Sequence, residues 1–452
     1  MPHRRGNQLV VGSTQSGKSY GEVQDVLAAA EDRRTAIVVL DPHPRSLARN
    51  CLLHLDARGH RGRILWDELD ELLRVPKYRL LMQSRAAGLQ REHDHERLAD
   101  QFAELLCRRR ESASLAAAPQ TEEYTKHGLR LLLEQRRQRP AADLRFAFQV
   151  GHRRFARLLA ECRHEETEAL FRQIADGSIR PGQYAAARRL IEGVCGSPSF
   201  VVRCGTRFDV GAFLDDRGIL LVEGGTSPLV TQTLLGAIVL QVIHYVRTRP
   251  RPLPRILLVL DEATNANLVG AAGHEVRALA ECQKMGLDVH ILVQSLNFPS
   301  AFVTDGVLTN CTRHVWYYAA NAAVARKAAD DLGEPELAEV VRALKVGERY
   351  VKERERVFFE RVPALANPWT LEELARRKLA AAVAAIRARS EYGPPDDDSG
   401  DDSCTGMNAT PPSSDSPSGT SAPADISSAT SPAVRRRTAG SKRSAPEENS
   451  GS

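Results

Sequence analysis

Aromatic residues make up only 5% of this 452-residue chain, too few for the Tyr-, Phe- and Trp-rich strands of an all-β sandwich. Abundant alanine and arginine point instead to many helices. There is no CxxC pair. The eight cysteines (Cys51, Cys107, Cys162, Cys195, Cys204, Cys282, Cys311 and Cys404) are scattered along the chain, which excludes a disulfide framework and reads as buried, reduced thiols. His93-Asp94-His95 and Cys162-Arg163-His164 lack a partner cluster at zinc-ligand spacing, so no such metal centre is expected. No uninterrupted apolar run approaches the roughly 18–20 residues of a membrane span. The start, MPHRRGNQLVVGSTQSGKS, has neither the apolar stretch nor the cleavage site of a signal peptide. These absences lead to the expectation of a soluble, cytoplasmic protein without internal repeats.

What remains is ordinary globular material, 42% hydrophobic and 26% charged, long enough for one large domain with insertions or for two domains. The net charge of +5 is unevenly spread: residues 393–452 hold five basic and nine acidic side chains, which leaves +9 on residues 1–392. A basic folded part suits a polyanionic partner. From Gly393-Pro394-Pro395 onward the chain is Ser, Pro, Asp, Thr and Gly with almost no large apolar residue. Such a tail cannot bury enough surface to offset its ordering entropy and is expected to be disordered.

Residues 1–82 contain short β-branched runs at 8–11, 35–40 and 63–66, with a helical segment at 17–30. The style returns in 205–392, with strands expected at 218–223, 255–261, 288–294 and 314–318. Alternating strands and helices predict a mostly parallel α/β sheet. Residues 83–204 carry helical repeats such as Leu98, Phe102, Leu105 and Leu106 but no convincing strand. The expected fold class is therefore α/β, a core with a mostly parallel sheet in two parts, 1–82 and 205–392, with an all-α subdomain inserted at 83–204 and a disordered tail at 393–452.

Gly12-Ser13-Thr14-Gln15-Ser16-Gly17-Lys18-Ser19 fits G-x-x-x-x-G-K-[ST], placed after a short apolar run and before a helix. The glycines let successive N–H groups turn toward phosphate oxygens. Lys18 would neutralise the β- and γ-phosphates of ATP, and Ser19 would ligate Mg2+. Ile256 to Leu260 is a continuous apolar run, as expected of a strand buried on both faces, and it ends in Asp261-Glu262. Asp261 is expected to complete the metal shell and Glu262 to polarise the attacking water, although an aspartate at a strand end can also cap a following helix. Val289 to Val293 ends in Gln294, an amide that can orient water beside the phosphates or can be a solvated loop residue.

With these pieces in chain order, the sequence resembles the HerA/FtsK superfamily of DNA-pumping ATPases, and most of all the type IV coupling proteins of bacterial conjugation. The resemblance extends to Ile37 through Asp41-Pro42-His43, to Phe208-Asp209-Val210 and Ile219 to Val222, to Leu279 through Ser295, to Asn310 through Val315, and to Leu344-Lys345-Val346-Gly347-Glu348. It implies a RecA-like P-loop NTPase core and a homo-oligomeric ring, expected to be a hexamer, with ATP between subunits and DNA in the central channel. It also implies a trans arginine, for which Arg313 is the first candidate and Arg326 the second. The P-loop begins at residue 12, so neither an N-terminal β-barrel nor a membrane anchor is expected, and a partner in secretion or conjugation machinery is implied only by analogy. Arg136, Arg137, Arg139, Arg153, Arg154, Arg157, Arg188 and Arg189, interspersed with Phe146, Phe148 and Phe155, form either a phosphate-binding surface or a solvated face over an aromatic core. The expected activity is an ATP-driven DNA translocase. The alternatives are a P-loop ATPase with a protein cargo and a non-catalytic nucleotide switch, and Glu262 argues against the last.

Overall fold

The computed structural model describes residues 6–82, 88–107, 119–206, 208–249, 254–264, 279–298, 300–363, 365 and 372–388. The tail at 393–452 lies outside them, as does the segment 265–278 that follows Asp261-Glu262. Nine strands make one sheet: β1 (Gln8–Val11), β2 (Thr35–Asp41), β3 (Ile64–Glu68), β4 (Ile219–Glu223), β5 (Arg255–Leu260), β6 (Leu287–Val293), β7 (Arg313–Trp316), β8 (Glu348–Glu353) and β9 (Arg356–Arg361). Their order is β3-β4-β2-β5-β6-β1-β7-β8-β9. The first seven pair in parallel, and β8 and β9 close the edge as an antiparallel hairpin. The parallel strands fall where the apolar runs predict them, within one or two residues.

The physical reason is burial on both faces. β2 and β6 are buried at every position, and β5 at all but its first, as required of central strands covered by helices on either side. β9 differs: its pattern is mostly exposed or half-buried, and Arg356, Glu360 and Arg361 put charge on the open edge, which discourages further strand pairing.

Helices α1 (Lys18–Glu31) and α2 (Leu47–Ala57) pack on each other and connect the first strands. Between β3 and β4 the described chain is helical: α3 (Leu89–Cys107), α4 (Pro119–Leu133), α5 (Arg153–Glu161), α6 (Glu165–Ala175), α7 (Pro181–Cys195) and α8 (Pro198–Arg203), followed by the short α9 (Val210–Asp215). Phe148 is central to this group, with its ring centroid 5.5 Å from Tyr184 and 5.3 Å from Phe171. Phe146, Phe148 and Phe155 are all buried, so they form core rather than a base-stacking surface. Of the arginines around them, Arg139, Arg154, Arg157 and Arg188 each pair with an acid.

After β4 comes α10 (Pro228–Thr248), apolar around its whole circumference and packed against α3, α7, α8 and α9. Its length and composition would suffice to cross a membrane, but 78% of its most apolar window is buried within this fold, as in the core helix of a large α/β protein. The remaining helices are α11 (Ala301–Asn310), α12 (Ala322–Leu332), α13 (Leu337–Ala343) and α14 (Glu372–Arg387). The seven cysteines among the described residues are all buried, and none is in a disulfide.

Two buried ion pairs tie helices to the sheet. Arg203, at the end of α8, is fully buried against Asp67 of β3 at 2.9 Å. It also donates to the carbonyls of Glu68, Glu71 and Ser199. Every arm of this guanidinium is engaged, so the helical segment is locked to the strand that precedes it. Arg203→Met would strand the Asp67 carboxylate and is expected to cost about 3–5 kcal/mol, measured by urea denaturation; a loss below about 1 kcal/mol would mean that the pair is dispensable.

On the other side, Glu22 of α1 meets His290 of β6 at 2.7 Å, both buried. Burial works against the imidazolium, but the Glu22 carboxylate outweighs it and holds the His290 pKa above its usual value. A raised pKa means that this stabilisation is complete below about pH 6.5 and is lost as pH rises through the folded-state value. Glu22→Gln is expected to destabilise by about 1–3 kcal/mol at pH 6 and by less at pH 9. Thermal melts across that range would show it, and an equal loss at both pH values would contradict the assignment.

Candidate nucleotide site

Parallel pairing places the carboxyl ends of β3, β4, β2, β5, β6, β1 and β7 on one edge of the sheet, where ligands of open α/β sheets bind. The turn after β1 is a phosphate-sized loop. Gln15 and Gly17 both have left-handed backbone, φ 64° and 98°, and Gly17 leads directly into α1. No acidic residue occupies the first turn of α1, so its N-terminal partial charge is left for an anion. Gly12 N–H donates to Val293 at 3.2 Å and Ser13 N–H to Tyr318 at 2.8 Å, which moors the loop between β6 and β7. The Ser16 hydroxyl is buried in the loop without a hydrogen-bond partner. An orphaned buried hydroxyl in a concave Gly-rich turn fits a polar ligand.

Lys18 is buried, and its Nζ donates to the Gly12 carbonyl at 2.5 Å. It lies 3.7 Å from Glu262 Oε1, and that same oxygen accepts a hydrogen bond of 2.9 Å from Gln294 Nε2. Three side chains expected at the site from separate parts of the chain therefore meet at adjacent strand tips. Glu262 has φ 46°, a left-handed conformation that costs a glutamate about 1–2 kcal/mol. The strain turns its carboxylate toward Lys18 and Gln294, and strain of this sort gathers at functional sites. Asp261 is buried beside it and accepts the Glu262 N–H at 3.1 Å.

The electrostatics point to a missing positive charge. Burial, helped by Asp41 and Glu262, pushes the Asp261 carboxyl well above the usual range, with Lys18 pulling the other way. Burial likewise lowers the Lys18 pKa against the influence of Glu262 and Asp261. A buried carboxylate pair with one lysine is a poor arrangement by itself and a good one for a divalent cation. Ser19, in the first turn of α1, and Asp261 are hard oxygen donors of the kind Mg2+ prefers.

Asp41, at the end of β2, belongs to this edge but is not among the expected site residues. Its two oxygens accept the His43 and Ala48 N–H groups at 2.9 Å each. Burial lifts its pKa to about 7 against those hydrogen bonds, and Glu223 adds to the lift. The signal was present, an apolar strand closed by an aspartate as in β5, but only the pairing of β2 with β5 puts it beside Asp261. Arg49 was not legible at all. It holds Glu223 at 2.5 Å and Glu68 at 3.3 Å, closing the acidic row on the β3–β4 side.

Arg313 lies elsewhere. It opens β7, at the amino end of the strand and so at the opposite edge of the sheet, is 5% exposed, and pairs with Glu360 of β9 at 3.3 Å. A side chain that completes a neighbour's site must reach the surface, and the packing of the β8–β9 hairpin keeps Arg313 inside. Arg326, on α12, is exposed.

The chain has the α/β fold of RecA-like P-loop NTPases. Among solved structures it is similar to the bacterial conjugative coupling protein TrwBΔN70 in its unbound form, with 15% identity, TM-score 0.58, and 80% of this chain and 86% of that one covered. The plasmid coupling protein TrwB in complex with ADP and Mg2+ matches at 16% identity and TM-score 0.58 over the same shares. VirB4 of Thermoanaerobacter pseudethanolicus matches at 14% identity and TM-score 0.52, over 79% of this chain and 89% of that one. No sequence-family model and no curated protein sequence matches the chain.

The roles separate by mutation. Lys18→Ala is expected to weaken ATP binding itself, whereas Glu262→Gln should bind ATP and lose turnover by about 10²–10⁴-fold. Calorimetric titration with a coupled phosphate assay distinguishes them; normal turnover by Glu262→Gln would remove Glu262 from its role.

Proposed function

We propose that this protein is an ATP-hydrolysing motor of the kind found in conjugation and type IV secretion, and that its cargo is DNA. The observation that carries the reading is the meeting of Lys18, Glu262 and Gln294 at 3.7 and 2.9 Å on adjacent strand tips. A phosphate loop alone serves kinases and switches as well as hydrolases. A carboxylate held within reach of the loop lysine and fixed by an amide is what water activation requires.

In this reading the backbone N–H groups of residues 13–19 and the N-terminus of α1 receive the phosphates, and Lys18 leaves the Gly12 carbonyl to bind them. Glu262, released from Lys18, accepts a proton from the attacking water, and Gln294 holds both the carboxylate and the water in line. Ser19 and Asp261 would hold Mg2+, which would supply charge neutralisation to the bound triphosphate. The complex of TrwB with ADP and Mg2+, on the same fold, supports both cofactors. The family implied by the sequence suggests a ring, hexameric in that reading, with the site shared between subunits; Arg326 then has the surface position that a trans arginine needs.

DNA as cargo rests on the coupling-protein fold and on the +9 charge of residues 1–392. Proteins of this fold also include VirB4, so a protein cargo is the second reading. Long DNA is expected to stimulate hydrolysis, with the stimulation fading as salt rises because phosphate contacts release counterions. ATPase assays at 50 and 200 mM salt, on particles sized by mass photometry, test this. A rate indifferent to single- and double-stranded DNA at low salt would favour the protein cargo.

A further inference from the structure

Beneath the phosphate loop runs a line of buried contacts that starts at the β8–β9 hairpin. Glu360 of β9 accepts from Arg313 at 3.3 Å and from Arg349 of β8 at 2.9 Å. Arg349 is 7% exposed and donates from Nη1 to the Tyr317 hydroxyl at 2.8 Å. Tyr317 follows β7, is fully buried, and lies directly against two glycines of the nucleotide site. A Cβ on Gly12 would stand 2.7 Å from the Tyr317 Cβ, and one on Gly21 would stand 2.1 Å from its hydroxyl. Gly21 lies outside the phosphate-loop motif, in the first turns of α1, where glycine costs about 1 kcal/mol relative to alanine. Its presence has a local cause: the tyrosine hydroxyl occupies the space of its side chain.

The hairpin touches the loop a second time. Gly347, just before β8, donates its N–H to the Ser16 carbonyl at 3.1 Å, and a Cβ on Gly17 would meet that nitrogen at 2.8 Å. Gly347 itself has φ 81° and accepts from Val362 N–H at 2.8 Å. The phosphate loop is thus held from below by Tyr317 and from the side by Gly347, and both supports are fastened to the same hairpin.

We propose that Tyr317 and Arg349 are positioning residues of the phosphate-binding loop. Arg349 fixes the tyrosine ring, and the ring sets the height of Gly12 and of the first turns of α1, hence of Lys18, against the bound phosphates. This assignment rests on the nucleotide-binding reading and adds to it a dependence on the hairpin, an element at the edge of the sheet that contributes no group to the chemistry.

A double-mutant cycle of Gly21→Ala and Tyr317→Phe tests it, with ATP affinity, KM, kcat and melting temperature measured for all four proteins. Gly21→Ala forces its methyl onto the hydroxyl and is expected to weaken ATP affinity roughly tenfold, with kcat within about twofold. Tyr317→Phe alone should weaken it by a few-fold and deletes only one oxygen, so it leaves a foldable chain. Combined, the effect should be smaller than the product, because the atoms then nearest the new methyl are Arg349 Nη1 at 3.0 Å, the end of a flexible side chain, and the ring Cζ at 3.4 Å. Arg349→Lys, which keeps the charge and loses the fork, should raise KM as Tyr317→Phe does. Variants that melt earlier but bind ATP with wild-type affinity, or a cycle whose effects simply multiply, overturn the assignment while the wild type still binds ATP. A wild type without ATP affinity sinks the nucleotide reading itself, and this one with it.

Discussion

The site depends on the position of β6. It lies between β1 and β5, which are separated by more than two hundred residues of chain, and its register with each decides what meets at the carboxyl edge. Gly12 N–H bonds to Val293 and Ala263 N–H to Leu292, so the loop after β1 and the turn after β5 are both tied to the last two residues of β6. Gln294 is the next residue. Because side chains alternate faces along a strand, a slip of one residue in either pairing would turn the expected partners apart. Two polar residues of β6 resist such a slip, because Asp288 pairs with Arg255 and His290 with Glu22, each at 2.7 Å.

Charge is concentrated where the chemistry is expected, and the fold manages it unevenly. On the β3–β4 side, Arg49 and Arg387 neutralise Glu223, Glu68 and Glu71. On the other side, among the described residues, Asp41 and Asp261 face backbone N–H groups and one lysine, and burial raises both. One half of the edge is internally satisfied and therefore structural. The other half, among the described residues, groups more acids than bases, an arrangement that in the proposed reading suits a magnesium–nucleotide complex.

The hairpin gives the same contrast at the edge of the sheet. The buried Arg313 and Arg349 share the half-buried Glu360, a row that in sequence is three ordinary polar residues on three short segments. Arg349 donates to both Glu360 and the Tyr317 hydroxyl, which links the row to the ring. An arginine read from its motif as a surface finger is, in the folded chain, part of an internal brace.

Spacing and apolar runs alone determined the parallel strands, the glycine turn after β1 and the placing of Asp261, Glu262 and Gln294 at strand ends, because each is local: glycines permit the turn, and an unbroken apolar run reports a strand covered on both faces. Tertiary structure alone decided that Asp41 joins the acids of the site, that Arg313 is withdrawn from it, that the phenylalanines near the arginines are core, and that Gly21 answers to Tyr317. Those facts arise from pairings between residues distant in the chain. A side chain's exposure and partner depend on what the sheet order brings beside it, which residue type and spacing do not encode.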